Sequence, residues 1–249
     1  MSETIGSNRS PIGQNISLNS WFVFIGLSAI CFIFCAPFIY GKLTSSHHDL
    51  LLFSIHYISS ITCGLCSAIF HLMMSHNKGE SMHCKLNTLD WFGIWLVTTW
   101  GPMAFIKATF FCSPWLYKMV LLFYSLISSI SLVYLVQGKD AKERVIPIIY
   151  VGLVKMGMYA SRGCMAWTVY ITAKIEVVWL FAIMELLGLL GAVFHIFQFP
   201  ERLLSGKLDY LWNCHNILHI LSSICRIVLH LGTVFDIEWM ETAKCLAEE

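Results

Sequence analysis

The chain has 249 residues, of which 57% are hydrophobic and 12% charged, with a net charge of +1 and a mean hydropathy of +0.69. That is more apolar surface than one water-soluble core can bury, so an ordinary soluble domain is excluded and most of the surface is expected to face lipid. No Lys/Arg stripe is present to neutralise phosphates, which excludes nucleic acid as a partner.

Seven apolar runs are long enough to cross a bilayer core of roughly 30 Å as helices. A polar tail, residues 1–18, comes first and carries Asn-x-Ser sequons at Asn8 and Asn15. The run at 19–40 is too long for a cleaved signal peptide and lacks a basic leader, so it is expected to stay as a helix. The run at 50–74 ends in "SAIFHLMMSH", with Ser67 and His71 four apart on one helical face. The run at 89–111 opens in "LNTLDWFGI", which supplies Asp90. Only "FCSPW" separates it from 114–137, with Pro114 as the break. The runs at 145–166 and 175–197 carry Lys155 and Glu185 near mid-span, where they can pair to fix helix contacts or meet a substrate head group. The run at 211–233 contains "CHNILHI", with His215 and His219 again four apart, and an acidic tail at 234–249 holds Asp236, Glu238 and Glu241. The expected architecture is therefore all-α, a polytopic bundle of seven transmembrane helices over residues 19–233.

Basic residues favour the cytoplasmic side of short connections. Arg9, Lys78, Lys85, Lys139, Lys142, Arg144, Arg202 and Lys207 fall on the N-terminal side, against Lys42, Lys118, Arg162, Lys174 and Lys244 opposite, so the N-terminus is expected inside. The sequons would then be cytoplasmic and unglycosylated. Of the ten cysteines, most read as small apolar residues in helices. Cys63 and Cys66 form a C-x-x-C without a second pair, and Cys112 and Cys245 share the expected outer side, where a disulfide can form.

Polar residues in membrane helices are costly and point to function. Ser67, His71, Asp90, His215 and His219 reach one depth from three helices. Three neutral imidazoles with a fourth position for water make a tetrahedral zinc site of the open type, and a nearby carboxylate can orient a ligand or take a proton. The competing reading is interhelical hydrogen bonding by the histidines. Ser67 can equally be a packing hydroxyl, and Asp90 a helix N-terminal charge favoured by the dipole. His195, at the inner end of the sixth run, reads as an ordinary cation at a helix C-terminus. His230 lies eleven residues past His219, roughly 16 Å along a helix and too far to share a metal.

Residues 67–94 and 199–220 resemble the signatures of the progestin and adipoQ receptor family. The first matches at Ser67, Phe70, His71, Leu89, Asp90, Gly93 and Ile94; the second, "FPERLLSGKLDYLWNCHNILHI", at Pro200, Glu201, Arg202, Gly206, Asp209, His215 and His219. The resemblance implies a seven-helix fold with an inside N-terminus and an intramembrane zinc held by His71, His215 and His219, with Asp90 and Ser67 beside its water. The family is similar to a wider group of membrane hydrolases that includes alkaline ceramidases, and some relatives are receptors for adipose hormones or steroids. This sequence departs from the pattern near the first run, where "SLNSWFVFIG" offers Asn19 but neither Glu nor His, and at Cys214, Asn216 and Ser205, which stand for Ser, Gln and Pro.

Two functions follow. One is zinc-dependent hydrolysis of a lipid amide such as ceramide: zinc lowers the pKa of its water from near 16 to about 7, Asp90 serves as general base and then acid, and Ser67 donates to the oxyanion. The other is a non-enzymatic receptor for an extracellular or lipophilic ligand, with structural zinc. Either makes an integral protein of the plasma membrane or an endomembrane; the sequence carries no signal of oligomeric state.

Overall fold

The computed structural model describes residues 50–73, 80–167, 175–203, 214–243 and 245. The run at 19–40, both sequons, Asn19, Ser205, Gly206 and Asp209 lie outside the described residues. The described chain forms helices α1 (Leu50–Met73), α2 (Glu80–Trp100), α3 (Met103–Thr109), α4 (Pro114–Gln137), α5 (Ala141–Trp167), α6 (Ile175–Ile196) and α7 (Cys214–Thr242), with no strand among the described residues. Four of them, α1, α4, α6 and α7, are long and apolar enough to cross a membrane.

The bundle is apolar outside and buries many of its polar side chains among an apolar core. α4 exposes Leu122, Phe123, Leu126, Ile130 and Val133, and α6 exposes Trp179, Ile183 and Leu186, while Ser128, Ser131, Lys155, Arg162, Arg226 and Asp236 are buried. Lipid is the surroundings that favour this arrangement, because apolar side chains lose nothing by facing hydrocarbon and polar ones must find partners inside. α1 and α7 run antiparallel: Leu52, Phe53 and Tyr57 at the start of α1 pack with Ile237 and Met240 near the end of α7 and with Ala104 and Ala108 of α3. At the other end, His71 of α1 meets His215 and His219 of α7.

Three boundaries differ from expectation. The run at 89–111 is two helices, since α2 starts at Glu80 and the chain breaks at Gly101–Pro102 before α3. Pro102 has no N–H to give the Thr98 carbonyl one turn back. Tyr124 of α4, fully buried, donates its hydroxyl to that carbonyl instead at 3.4 Å. Pro114 is the first residue of α4, where its missing N–H costs nothing.

The second difference corrects the acidic tail, which does not begin at 234: α7 continues to Thr242, with Thr233, Asp236, Ile237 and Met240 buried at helical spacing. Third, Arg162 is no loop cation. Arg162 and Asp236 are both fully buried and bind as a fork, Nη1 to Oδ2 at 3.0 Å and Nη2 to Oδ1 at 2.7 Å, with the guanidinium 4.8 Å over the Phe105 ring. Toward the same end, the Cys112–Cys245 disulfide ties the α3–α4 corner to the chain beyond α7. Nearer mid-bundle, Lys155 pairs with Glu185, which also accepts the Tyr159 hydroxyl at 2.9 Å.

Candidate metal centre

Each side chain of the centre is positioned by its own helix. His71 lies in the last turn of α1, and His215 and His219 occupy successive turns at the start of α7. The first turn of α7 is fixed by Glu201, whose Oε2 accepts the Cys214 N–H at 3.0 Å; an acidic side chain is favoured at a helix N-terminus by unpaired amides and the macrodipole. The three rings converge edge to face, with centroids 4.6 to 4.9 Å apart. His71 is buried and the other two are half-buried.

Their Nε2 atoms form a triangle of 2.9 Å (His71 to His219), 3.2 Å (His71 to His215) and 3.1 Å (His215 to His219). Hydrogen bonding cannot satisfy that triangle. A neutral imidazole nitrogen is either donor or acceptor, so among three mutually touching nitrogens one pair must set two hydrogens or two lone pairs against each other. A cation at the centre resolves the conflict by taking all three lone pairs. Ligands bound at 2.0–2.1 Å with tetrahedral angles lie roughly 3.3 Å from one another, close to the observed spacing. The residues therefore fit a zinc-sized ion better than a hydrogen-bonded cluster. Among the described residues these three are the group with metal-ligating geometry, all ligand atoms lying within 4.8 Å.

Asp90 and Ser67 stand next to each other, outside the converging group of ligand atoms. Gly93, one turn after Asp90, presses α2 onto α1 so closely that a Cβ would meet Cys66 Cβ at 3.0 Å and Cys63 Cα at 3.1 Å. This contact sets Asp90 next to Ser67, whose buried hydroxyl lies near the carboxylate but short of tight hydrogen-bond contact. Small residues at such crossings let membrane helices approach, which gives Cys63 and Cys66 a packing role.

Two further polar groups surround the triad. His195, read from the sequence as a helix-end cation, packs its ring against His215 at 5.6 Å between centroids. Arg226, buried, hydrogen-bonds Ser223 at 3.1 Å and lies within electrostatic reach of His219. Arg226 is seven residues past His219 and hence on the same helical face, a spacing that would have revealed it. His230 is remote, as the arithmetic required: it stacks on His56 of α1, with Nδ1 3.2 Å from His56 Nε2.

Comparison with known proteins matches residues 14–230 to the family model described as Haemolysin-III related. The human progestin and adipoQ receptor family member 4 is 27% identical over 190 residues, covering 76% of this chain and 68% of that protein. The mouse progestin and adipoQ receptor family member 3 is 24% identical over 249 residues, covering 93% of this chain and 76% of its own. The adiponectin receptor protein of Drosophila melanogaster is 24% identical over 203 residues, covering 73% of this chain and 41% of its own.

Proposed function

The chain belongs to the haemolysin-III related family, with the progestin and adipoQ receptors, and from that premise we propose that it is a receptor-like membrane protein holding intramembrane zinc and hydrolysing a lipid amide such as ceramide. The observation that carries the reading is the Nε2 triangle of His71, His215 and His219, which a cation satisfies and hydrogen bonds do not. Zinc held there supplies Lewis-acid chemistry and a water acidic enough to ionise near neutral pH. The protein's own share is local. Asp90 takes and returns a proton at its carboxylate, and Ser67 donates its hydroxyl hydrogen to the developing oxyanion. A centre among apolar helices favours an amphiphile whose acyl chain enters sideways from lipid.

The proposed topology is seven spans with the N-terminus inside. The apolar run at 19–40 supplies the first, α2 with α3 a broken third, and α5 the fifth. The charges of α5 do not oppose this, because Lys155 and Arg162 point inward to Glu185 and Asp236. With Arg162 removed from the loop count, basic residues divide eight to four in favour of a cytoplasmic N-terminus. The Cys112–Cys245 disulfide supports the same orientation, since such bonds persist on the oxidising side.

The test is zinc content by mass spectrometry on detergent-purified protein beside a His215→Ala/His219→Ala variant of equal helicity. About one zinc per chain, lost in the variant, is expected for a three-imidazole site; a zinc-free unsubstituted protein, purified without chelators, would refute the reading. The second reading, a signalling receptor with structural zinc, is favoured by the receptor names of the relatives. Asp90→Asn separates the two: it abolishes hydrolysis in the first and leaves ligand response intact in the second.

A further inference from the structure

A fourth imidazole adjoins the triad without belonging to it. The His195 ring is 5.6 Å from that of His215, against 4.6 to 4.9 Å within the triad, and His195 falls outside the converging group of ligand atoms. Packing puts it there. Gly191, one turn earlier on α6, lies so close to α7 that a Cβ would meet Leu218 Cδ1 at 3.0 Å, and Leu218 sits between the two α7 ligands. His195 Nδ1 is buried with no hydrogen-bond partner among the described residues, an arrangement that carries a desolvation cost. On its outer side, the partly exposed Glu201 lies within electrostatic reach. From the water-facing side inward there is thus a carboxylate, an imidazole with an open nitrogen, and three imidazoles facing one point.

A divalent cation cannot shed its hydration shell into an apolar layer unless donors replace the lost waters. Resting on the zinc reading above, we propose that His195, with Glu201 outside it, is a transfer ligand through which the metal reaches the triad. Each step is a ligand exchange without change of oxidation state: His195 Nδ1 replaces one water on the cation, and His215 Nε2 then replaces His195. The wider ring separation suits a transfer role rather than a fourth permanent ligand, which would close the position left for water.

The test uses full-length, metal-stripped protein in detergent with cobalt(II) as the probe, its visible absorption reporting both uptake rate and ligand set. His195→Ala and His195→Gln are expected to slow uptake by about tenfold, the rate equivalent of about 1.4 kcal/mol on the barrier to entry. The final spectrum and equilibrium affinity stay those of the unsubstituted protein. Glu201→Gln, which keeps an oxygen to accept the Cys214 N–H, slows uptake less. Unchanged uptake in both His195 variants overturns the proposal, and so does a changed final spectrum, which would make His195 a resident ligand. An unsubstituted protein that binds neither cobalt nor zinc removes the zinc reading itself, and this inference with it.

Discussion

The two ends of the bundle handle buried polarity in opposite ways. At the disulfide end, Arg162 and Asp236 match donors to acceptors as a fork, and Cys112 is bonded to Cys245. At the histidine end, three nitrogens crowd one another with no hydrogen pattern that suits all three. Polar groups that complete one another hold a fold together, whereas groups that converge and remain in conflict mark a place where something from outside is required.

That contrast can be broken by substitution. The largest effect belongs to Asp90→Asn, expected to lower lipid-amide hydrolysis by at least about 100-fold, the usual worth of a general base, with zinc content and melting temperature unchanged. Next is Asp236→Ala, which strands the buried Arg162 guanidinium and is expected to cost about 3–5 kcal/mol in detergent unfolding. Arg162→Met/Asp236→Leu should recover most of the loss. If Asp236→Ala also released zinc from still-folded protein, the two ends would be one energetic unit and the contrast would fail. Gly93→Val forces α1 from α2 against Cys63 and Cys66, at about 1–3 kcal/mol of overpacking, and lowers turnover by moving Asp90 from Ser67. Tyr124→Phe, the smallest, removes the donor to Thr98 and should lower stability by about 1 kcal/mol on a thermal melt.

Much of this was readable beforehand because membrane sequences are explicit about length and cost. An apolar run of about twenty residues has few alternatives to a helix, and the i, i+4 spacing of His215 and His219 puts both on one face. The Lys155–Glu185 pair was legible because both charges fall at mid-span. The Gly101–Pro102 break was not, because hydropathy is continuous across it and the rescue comes from Tyr124 on another helix. Asp236 misled for a related reason: a charge late in the chain reads as a tail until its partner, Arg162, is seen 74 positions away. His195 was missed because its significance lies in a contact between helices and not in a spacing within one.

The break at Pro102 also separates α2 from α3 mechanically. α2 carries Asp90, while α3 carries Phe105 beneath the Arg162 guanidinium. A single straight helix would transmit any roll at one end rigidly to the other. With the chain interrupted, the seat of α2 against α1, set at Gly93, and the seat of α3, set at Ala104 and Ala108, are fixed by separate contacts. The two helices act as separate struts, so the histidine end and the disulfide end are each seated by contacts of their own.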